Sequence, residues 1–315
     1  MGPVIILVIP AVLLAAVSLA SFAGRWVWWL DVLANFRAQY VVVLLVLGLV
    51  IAASRWRRTG LGILAVALVN LVFVAPLYVG FPGDPVAGAP DLRVMSLNLL
   101  STNESYNEVI EYIEAAEPDV VLLHEASRPW EVALDSSGLD YEVVRGRSDN
   151  LIFGTLVLAR QEIEAVSYGF AEGAARAIAI EYQPEGWTVP VRILSTHPLA
   201  PTTADRADLR DAQLDFAADW AADQEGAFLV VGDLNASPWS WPFRRLVAEG
   251  SLRNSQIGFG LQASFPADSW FLLRVPIDHL LHSDELMVRD RHLGPTLGSD
   301  HFPLIVDLEH APSSR

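Results

Sequence analysis

The stretch Phe228-Leu229-Val230-Val231-Gly232-Asp233-Leu234-Asn235 is the most informative part of the chain. Its four consecutive apolar residues predict a buried strand, and the glycine that follows predicts a turn at the strand's end. Asp233 and Asn235 then stand where a rigid sheet can aim polar side chains into a cleft. Because such a pair can equally cap a turn, its meaning depends on what the other strands carry.

Other predicted strands also begin or end at polar residues that suit one shared site. From residue 92 onward, periodicity predicts strands at 92–98, 119–124, 151–159, 177–182, 189–195, 228–231, 277–282 and 304–308, and helices at 103–116 and 203–222. The polar residues at strand boundaries are Asn98, Glu125, His197, Asp278 and the triplet Ser299-Asp300-His301. Each alone is ordinary in a turn or an ion pair. Their conjunction indicates one site in an α/β domain.

The composition of the chain changes near residue 80. Of the 21 basic and 37 acidic residues, five arginines and one aspartate lie in residues 1–80, which are otherwise mostly apolar, as membrane segments are. The remainder therefore has a formal net charge of −20, and at about 230 residues it suffices for one large domain. Because cysteine is absent, any metal must be held by carboxylate, amide or imidazole groups, which favours a hard cation.

Three apolar runs precede residue 82, at 3–23, at 40–54 with its flanks, and at 61–81. A helix needs roughly 20 apolar residues to cross a bilayer. The first run lacks a basic N-terminal region and further apolar runs follow it, which favours a retained transmembrane helix over a signal peptide. We therefore predict a membrane unit of about three transmembrane helices at 1–81, a Pro/Gly-rich linker at 82–90 and a soluble domain at 91–315.

The sidedness of the protein follows from the segment Ser54-Arg55-Trp56-Arg57-Arg58-Thr59-Gly60, which is the densest positive loop of this half. The positive-inside rule places it in the cytoplasm. Three spans then make a multi-pass plasma-membrane protein with its soluble domain outside the cytoplasm. The alternative is that one run is a buried or interfacial helix, and an even number of spans would reverse the side. Trp26, Trp28 and Trp29 are typical of an interfacial belt or of a helix that lies on the membrane.

Taken together, the motifs resemble the endonuclease/exonuclease/phosphatase superfamily, which includes pancreatic-type deoxyribonucleases, abasic-site endonucleases, inositol-polyphosphate phosphatases and neutral sphingomyelinases. The resemblance covers about residues 91–310. It rests on Ser96-Leu97-Asn98, His124-Glu125, Ser195-Thr196-His197, Gly232-Asp233-Leu234-Asn235, Ile277-Asp278-His279 and Gly298-Ser299-Asp300-His301. It implies N-terminal transmembrane helices followed by a DNase I-like α/β four-layer sandwich, in which two packed β-sheets are flanked by helices. His124 stands where many members have glutamine, and Leu234 where phenylalanine is usual; neither is expected to touch the reacting phosphorus.

The resemblance also implies a metal-dependent hydrolase that acts on phosphoester bonds. Glu125 would be the principal Mg²⁺ ligand, with Asn98 and Asp300 completing an oxygen-rich shell that suits a hard octahedral ion. Mn²⁺ is the alternative metal.

The same resemblance assigns catalytic roles to five residues. Asp233 would hold or deprotonate the attacking water, and Asn235 would hydrogen-bond that water or a phosphate oxygen. His301, oriented by Asp278, and His197 would face the phosphate as protonated imidazoles or share the acid-base work.

The attachment to a membrane favours a lipid-linked phosphate ester or pyrophosphate as substrate, because tethering raises the effective concentration of anything carried by the bilayer. The layout resembles bacterial membrane proteins of the teicoplanin-resistance type, for which a prenyl pyrophosphate of cell-wall synthesis is a substrate hypothesis. The bilayer and a phosphorylated lipid are the expected partners, with no obligate protein partner. Aromatic stretches at 238–242 and 269–273 predict either ordinary core packing or a lipid-facing rim.

Three alternatives differ in class from this hypothesis. An extracytoplasmic metal-dependent nuclease remains open, although a domain charge of −20 disfavours nucleic acid, whose binding depends on basic residues. A catalytically silent binding module is a minor alternative, since every motif position is present. A transporter is excluded because the apolar runs contain almost no ionisable residues to line a pathway.

Overall fold

The N-terminal part of the chain is a bundle of apolar helices, here called the helical unit (residues 4–80). The computed structural model describes residues 4–80, 91–146, 154–170 and 174–311. The helices of this unit are α1 (Val4–Ala20), α2 (Trp28–Ala34), α3 (Arg37–Ala52), α4 (Arg57–Val74) and α5 (Pro76–Val79). The segment Ile5–Ala23 and α4 are each long and apolar enough to cross a membrane, and α2 with α3, bent by 66°, is a third candidate if the pair forms one span. The described residues therefore contain two or three potential membrane spans.

Most of the large apolar side chains that the protein exposes lie on this unit, as expected for helices surrounded by lipid. Inside the bundle, a polar network joins the helices. Arg37 donates to Oδ1 of Asn70 at 3.0 Å and to Oγ of Ser21 at 3.2 Å, and Nδ2 of Asn70 donates to Oγ of Ser18 at 2.7 Å. Because the apolar surroundings offer such groups no other partner, the network fixes how α1, α3 and α4 pack.

The remaining described residues form the α/β domain (91–146, 154–170 and 174–311), which has four more helices and twelve strands in these ranges. The helices are α6 (Tyr106–Ala116), α7 (Arg128–Asp135), α8 (Ala204–Ala222) and α9 (Trp241–Glu249). The strands are β1 (Leu92–Asn98), β2 (Val120–His124), β3 (Glu142–Gly146), β4 (Thr155–Ala159), β5 (Ala165–Tyr168), β6 (Ala177–Tyr182), β7 (Val191–Ser195), β8 (Phe228–Asp233), β9 (Arg253–Asn254), β10 (Asp278–His282), β11 (Leu286–Leu293) and β12 (Leu304–His310).

The strands form two six-stranded sheets, in the orders β11-β12-β1-β2-β4-β3 and β5-β6-β7-β8-β10-β9. In the first sheet β1 and β2 are parallel, with Asn98 opposite His124. In the second sheet β7 and β8 are parallel, and β10 runs antiparallel to β8 with Asp278 opposite Asp233. The parallel pairs therefore bring the residues that follow them to a common edge.

Three apolar clusters define four layers. The central cluster packs one sheet on the other, as where Val94 and Val120 meet Ile193 and Val231. The opposite face of the first sheet packs on α6 and α7 around Trp130, and that of the second sheet packs on α8 and α9. Because each central strand is covered on both faces, its sequence is apolar at nearly every position. The four-layer α/β sandwich is confirmed.

The helical unit and the α/β domain are in direct contact. Nε2 of Gln39 donates to the carbonyl oxygen of Arg274 at 2.7 Å, and the indole nitrogen of Trp239 donates to the carbonyl oxygen of Phe73 at 2.9 Å. Trp239 is buried against Val74 and Leu77. The contacts of α3 lie near its first residues, at the end opposite the Arg55–Arg58 segment. The proposed linker at 82–90 lies outside the described residues, so the domain boundary stays a prediction.

Candidate active site

The residues chosen from the sequence gather around one cavity of about 180 Å³. The seven of them that line it are Asn98, Glu125, His197, Asp233, Asn235, Asp300 and His301. Asp278, the eighth, is buried behind His301 and contacts it. The strand order explains this convergence, because β1, β2, β7, β8 and β10 are central strands whose ends meet where the two sheets face each other.

Asn98 and Glu125 follow the parallel strands β1 and β2. Glu125 adopts a positive φ of 54°, which turns its side chain away from the strand direction. Its Oε1 accepts from Nδ2 of Asn98 at 3.1 Å, and its Oε2 accepts from the backbone N–H of Ser101 at 3.3 Å. Oδ1 of Asn98 accepts from the N–H of Leu100 at 3.0 Å. Asn98 thus orients Glu125 in this arrangement, and its role as a direct metal ligand stays a prediction.

Asp233 is the centre of the polar network. Its Oδ1 accepts from the backbone N–H of Asn235 at 2.9 Å, and its Oδ2 accepts from Nδ2 of Asn98 at 3.1 Å. Nε2 of His197 and Nε2 of His301 lie 3.5 Å and 3.6 Å from the same Oδ2. Although burial favours the neutral acid, the charges of the two imidazoles hold the pKa of Asp233 well below its usual range. Asp233 is therefore ionised.

Gly232 sets the distance between β8 and the end of β7. It has a φ of 150°, and a Cβ atom at this position would overlap the backbone carbonyl oxygen of Thr196. The residue before Asp233 must therefore be glycine for His197 to reach it.

His301 bridges two carboxylates. Its Nδ1 lies 2.8 Å from Oδ2 of Asp278, while its Nε2 faces Asp233. Burial alone would lower its pKa, but the charges of Asp278 and Asp233 outweigh that effect and raise the pKa to about 10. The ring of Phe265 packs on it at 4.7 Å between centroids. His301 is therefore protonated at neutral pH, and its ring is held in place by Asp278.

His197 and Asn235 complete the cavity wall. Nε2 of His197 lies 3.9 Å from Oε1 of Glu125. Burial opposes protonation of His197, but the hydrogen bond and charge of Asp233, with the charge of Glu125, raise its pKa. Asn235 has a positive φ of 48°, and its Nδ2 donates to the carbonyl oxygen of Pro198 at 3.0 Å. The imidazolium of His301, the imidazole of His197 and one amide thus face the space where a phosphoryl group would lie.

Two histidines of the motifs do not face the cavity. His124 is fully buried, and its Nε2 lies 3.1 Å from Oγ of Ser195. His279 is also fully buried, with Nε2 2.9 Å from the carbonyl oxygen of Ala236. Burial lowers the pKa of each to about 3, so both are neutral packing residues. Leu234 is likewise buried in the core, and neither departure from the family pattern lines the cavity.

The sequence analysis missed several residues of the cavity wall. They are Ala175, Leu199, Ala200, Arg206, Phe265 and Ile277. Arg206, in the first turn of α8, donates through Nε to the carbonyl oxygen of Ala200 at 3.0 Å and is the one arginine of the wall within the described ranges. Ile277 belongs to a motif only as the residue before Asp278, and the other five lie outside the motifs, because Arg206 reaches the site from the start of α8 and the rest reach it from loops.

The donor set fits a hard divalent cation. Glu125 and Asp300 line the cavity, and burial raises the pKa of Asp300, as does the charge of Glu125, against the opposing charge of His301. A cation between these carboxylates would relieve their repulsion. A second group offers ligand atoms within 4.8 Å of one another and consists of Asp233, Asp278 and His301. Both ring nitrogens of His301 already face these two carboxylates, so neither nitrogen is left for a metal. Glu125 and Asp300 would therefore be the better metal ligands, and this assignment stays a prediction.

Solved structures share this fold at low sequence identity. A functionally unknown conserved protein from Enterococcus faecalis V583 superposes with a TM-score of 0.60 at 14% identity, covering 70% of this chain and 100% of that one. An endonuclease/exonuclease/phosphatase from Beutenbergia cavernae DSM 12333 gives 0.55 at 18% identity, with 70% and 72% covered. The human Nocturnin catalytic domain, solved with a bound sulfate anion, gives 0.56 at 20% identity, with 72% and 97% covered. No curated protein sequence matches the chain.

The amino-acid sequence assigns the protein to a family. Residues 95–301, more than half of the chain, match the model of the Endonuclease/Exonuclease/phosphatase family, and this range contains every residue described above at the cavity. The chain belongs to the Endonuclease/Exonuclease/phosphatase family, whose members are hydrolases that act on phosphoester bonds.

Proposed function

We propose that the protein is a membrane-anchored, Mg²⁺-dependent phosphoesterase that hydrolyses a phosphate ester or pyrophosphate of a lipid-linked substrate. The observation that carries this proposal is a short segment here called the apolar loop (residues 269–274). It exposes Trp270, Phe271 and Leu273, whose side chains are 63%, 61% and 56% accessible. Three large apolar side chains exposed side by side are typical of a surface that meets another apolar phase.

One end of the apolar loop is attached to the active site. Phe265 pairs with Val275 across its base, and the ring of Phe265 packs on His301. The N–H of Ala267 donates to the carbonyl oxygen of Asp300 at 2.7 Å. The base of the apolar loop therefore contacts two segments of the cavity wall, one that contains Phe265 and one that contains Asp300 and His301.

The other side of the apolar loop is attached to the helical unit, through the hydrogen bond from Gln39 to the carbonyl oxygen of Arg274. Gln39 lies in the first turn of α3, and the rest of that helix is apolar from Tyr40 to Ala52. In a bilayer that contains α3, the apolar loop would thus lie at the membrane surface, where tryptophan and phenylalanine are favoured. The aromatic stretch at 269–273 supports a lipid-facing rim, whereas Trp239 of the other stretch is buried against the helical unit.

The orientation of the helices supports an extracytoplasmic site. α3 has 16 residues and is about 24 Å long at 1.5 Å per residue. The α/β domain, which is the catalytic domain in this proposal, contacts the first turn of α3, while the Arg55–Arg58 segment follows its last turn. The positive-inside rule assigns that segment to the cytoplasm, which would leave the catalytic domain outside.

The size of the cavity agrees with a lipid-linked substrate. About 180 Å³ is below the roughly 300 Å³ at which pockets begin to enclose whole ligands. It admits a phosphoryl group and its nearest atoms, so a long apolar chain would remain outside the cavity, beside the apolar loop.

The chemistry follows from the charges at the site. A bound Mg²⁺ would supply Lewis-acid polarisation of a phosphoryl oxygen, held by Glu125 and Asp300; divalent-metal dependence is general in the family. Asp233, ionised and central, orients an attacking water and accepts its proton. His301, as an imidazolium ion, and His197 neutralise the charge that develops on the phosphoryl oxygens or protonate the leaving oxygen.

The test is product release by full-length protein reconstituted in vesicles with Mg²⁺ or Mn²⁺. The substrates are prenyl pyrophosphate, phosphatidyl lipids and a sphingomyelin-like lipid, beside plasmid DNA. We expect lipid turnover that is lost in Glu125→Ala and Asp233→Ala and on chelation of the metal. Metal-dependent nicking of DNA without lipid turnover would instead establish a nuclease. Inactivity on every substrate would favour the alternative of a catalytically silent binding module.

A further inference from the structure

We infer that the helical unit completes the active site, with Asp31 of α2 acting as a positioning residue for the catalytic segment that begins at Asn235. This segment, here called the 235–241 loop, directly follows Asp233 and leads into α9. The inference rests on the proposed function for its meaning, since it concerns how the same site is held in shape. It stands on contacts between the two parts of the chain.

Three polar groups of the helical unit bind the 235–241 loop directly. The backbone N–H of Ser237 donates to Oδ1 of Asn35 at 3.2 Å. The indole N–H of Trp239 donates to the carbonyl oxygen of Phe73. The backbone N–H of Trp241 donates to Oδ1 of Asp31 at 2.6 Å. Since Trp241 is the first residue of α9, the carboxylate of Asp31 also lies at the positive end of that helix.

A fourth contact reaches the catalytic residue itself. Arg210 of α8 donates through NH2 to Oδ2 of Asp31 at 3.2 Å and through NH1 to the carbonyl oxygen of Asn235 at 3.3 Å. Arg210 is 1% exposed and Asp31 is 2% exposed. The carboxylate from the helical unit thus fixes the guanidinium, and the guanidinium fixes the backbone of Asn235.

The position of this backbone matters to the site. Asn235 has a left-handed φ of 48°, which asparagine tolerates better than other residues with a Cβ atom but which still costs more than right-handed or extended backbone, so the surrounding contacts help to hold it. Its N–H donates to Asp233 and its Nδ2 to Pro198. A shift of the Asn235 carbonyl would therefore move the hydrogen bond that orients Asp233.

The loss of Asp31 could not be compensated by the other carboxylate near Arg210. Asp211 accepts from Nε of Arg210 at 2.7 Å, but its side chain is 36% exposed and it belongs to α8 itself. A buried arginine that loses its buried partner must draw water or move. The chain therefore offers a matched pair of substitutions, at two aspartates that contact one arginine.

The experiment compares full-length wild type with Asp31→Asn, Asp31→Glu and Asp211→Asn in vesicles. Turnover is followed with the preferred lipid and with bis(p-nitrophenyl) phosphate, a small soluble diester. We expect Asp31→Asn to lower kcat by about 100-fold, the effect of a displacement of about 1 Å at a catalytic group, with KM unchanged. Asp31→Glu should restore part of kcat, and Asp211→Asn should behave as wild type.

Hydrogen exchange of the peptide that spans 235–241 is the readout that needs no substrate. Asp31→Asn should speed exchange at Ser237 and Trp241, and Asp211→Asn should not. If Asp31→Asn does not fold, Asn35→Ala serves in its place, with faster exchange at Ser237 and a kcat about 5-fold lower, as for one lost hydrogen bond. Unchanged exchange in the folded variants would overturn the inference, as would an unchanged kcat. An inactive wild type would refute the proposed function, while the exchange data would still decide the inference.

Discussion

The helical unit and the catalytic domain each bury a polar network, and the two networks differ in what their members face. In the helical unit, Arg37 and Asn70 bind each other and two serines, between apolar helices. In the catalytic domain, Asp233 faces His301 and shares the Asn98 amide with Glu125, but the free faces of these residues line a cavity. A network enclosed by protein holds helices together, whereas one that opens to a cavity has groups left for a substrate. The predictions below test this distinction.

The largest expected effect is at the centre of the open network. Asp233→Asn removes the ionised carboxylate and should lower kcat by about 10³-fold, within the range for a lost general base. Near-ultraviolet circular dichroism of the variant should match wild type, because the side chain keeps its shape, whereas its unfolding temperature should fall, because the buried His301 loses one of its carboxylate partners. A variant that retains most of its activity would remove Asp233 from the mechanism.

A second effect concerns the pair of Asp278 and His301. Besides Asp278, the charged groups that face His301 are Asp233, Asp300 and His197. Removing the carboxylate in Asp278→Asn lowers the pKa of His301 from about 10, so the protonated form is lost at a lower pH. The alkaline limit of kcat at saturating Mg²⁺ should move down by about 1 to 2 pH units.

The matched control for this variant is Asp290→Asn, because Asp290 pairs with His292 at the same 2.8 Å but on the surface. It should leave the pH profile unchanged. An alkaline limit that stays in place in Asp278→Asn would show that the charge of His301 is not needed for turnover.

The third effect distinguishes the contact of the apolar loop with the membrane from the chemistry in the cavity. Replacing Trp270 and Phe271 by serine removes apolar area from the apolar loop without touching the cavity. Turnover of a vesicle-borne lipid should fall about 10-fold, since burial of one large side chain is worth about 1.5 to 3 kcal/mol, while a soluble diester should be hydrolysed at the wild-type rate. Val132→Ser, at another exposed apolar position on α7, is the control. Equal losses on both substrates would contradict a membrane role for the loop.

The smallest effect is expected in the enclosed network. Asn70→Leu leaves Arg37 and Ser18 without one partner each, and hydrogen bonds between transmembrane helices contribute about 0.6 to 2 kcal/mol. The unfolding temperature in detergent should fall while kcat per folded molecule stays at the wild-type value. Val69→Leu, on an exposed position of the same helix, should change neither quantity. A large loss of kcat in Asn70→Leu would show that this network also serves the active site.

Central strands of the two sheets were predicted from the sequence, whereas edge strands were missed. The central strands are covered on both faces and read as apolar runs, so their positions were predicted closely; Ala177–Tyr182 agrees at both ends. The four strands that were missed are β3, β5, β9 and β11, which are the edge strands of the two sheets in the described part of the chain. An edge strand such as Leu286–Leu293 mixes arginine, aspartate and histidine with apolar residues, because one side meets solvent.

The active site was predictable for a related reason. Polar residues at the ends of apolar strands are conspicuous in a sequence, and all eight chosen residues lie at or beside the cavity. Arg206 and Phe265 reach it from a helix start and a loop, where such residues are unremarkable. Asp31 and Arg210 were not identified either, because an ion pair across 179 positions of sequence depends on how the two units pack. The division of the chain into a membrane unit and a separate soluble domain stays a prediction.

Gly232 has a consequence for how the protein can vary over evolution. Its hydrogen atom occupies the place of a side chain that would collide with the Thr196 carbonyl oxygen, so a single methyl group would separate the ends of β7 and β8. Position 232 should therefore be occupied by glycine in every active descendant of this chain, while its neighbour Leu234, whose side chain lies in the core, is free to exchange for other apolar residues of similar volume. The tolerance of the two positions to substitution should differ sharply although they flank the same aspartate.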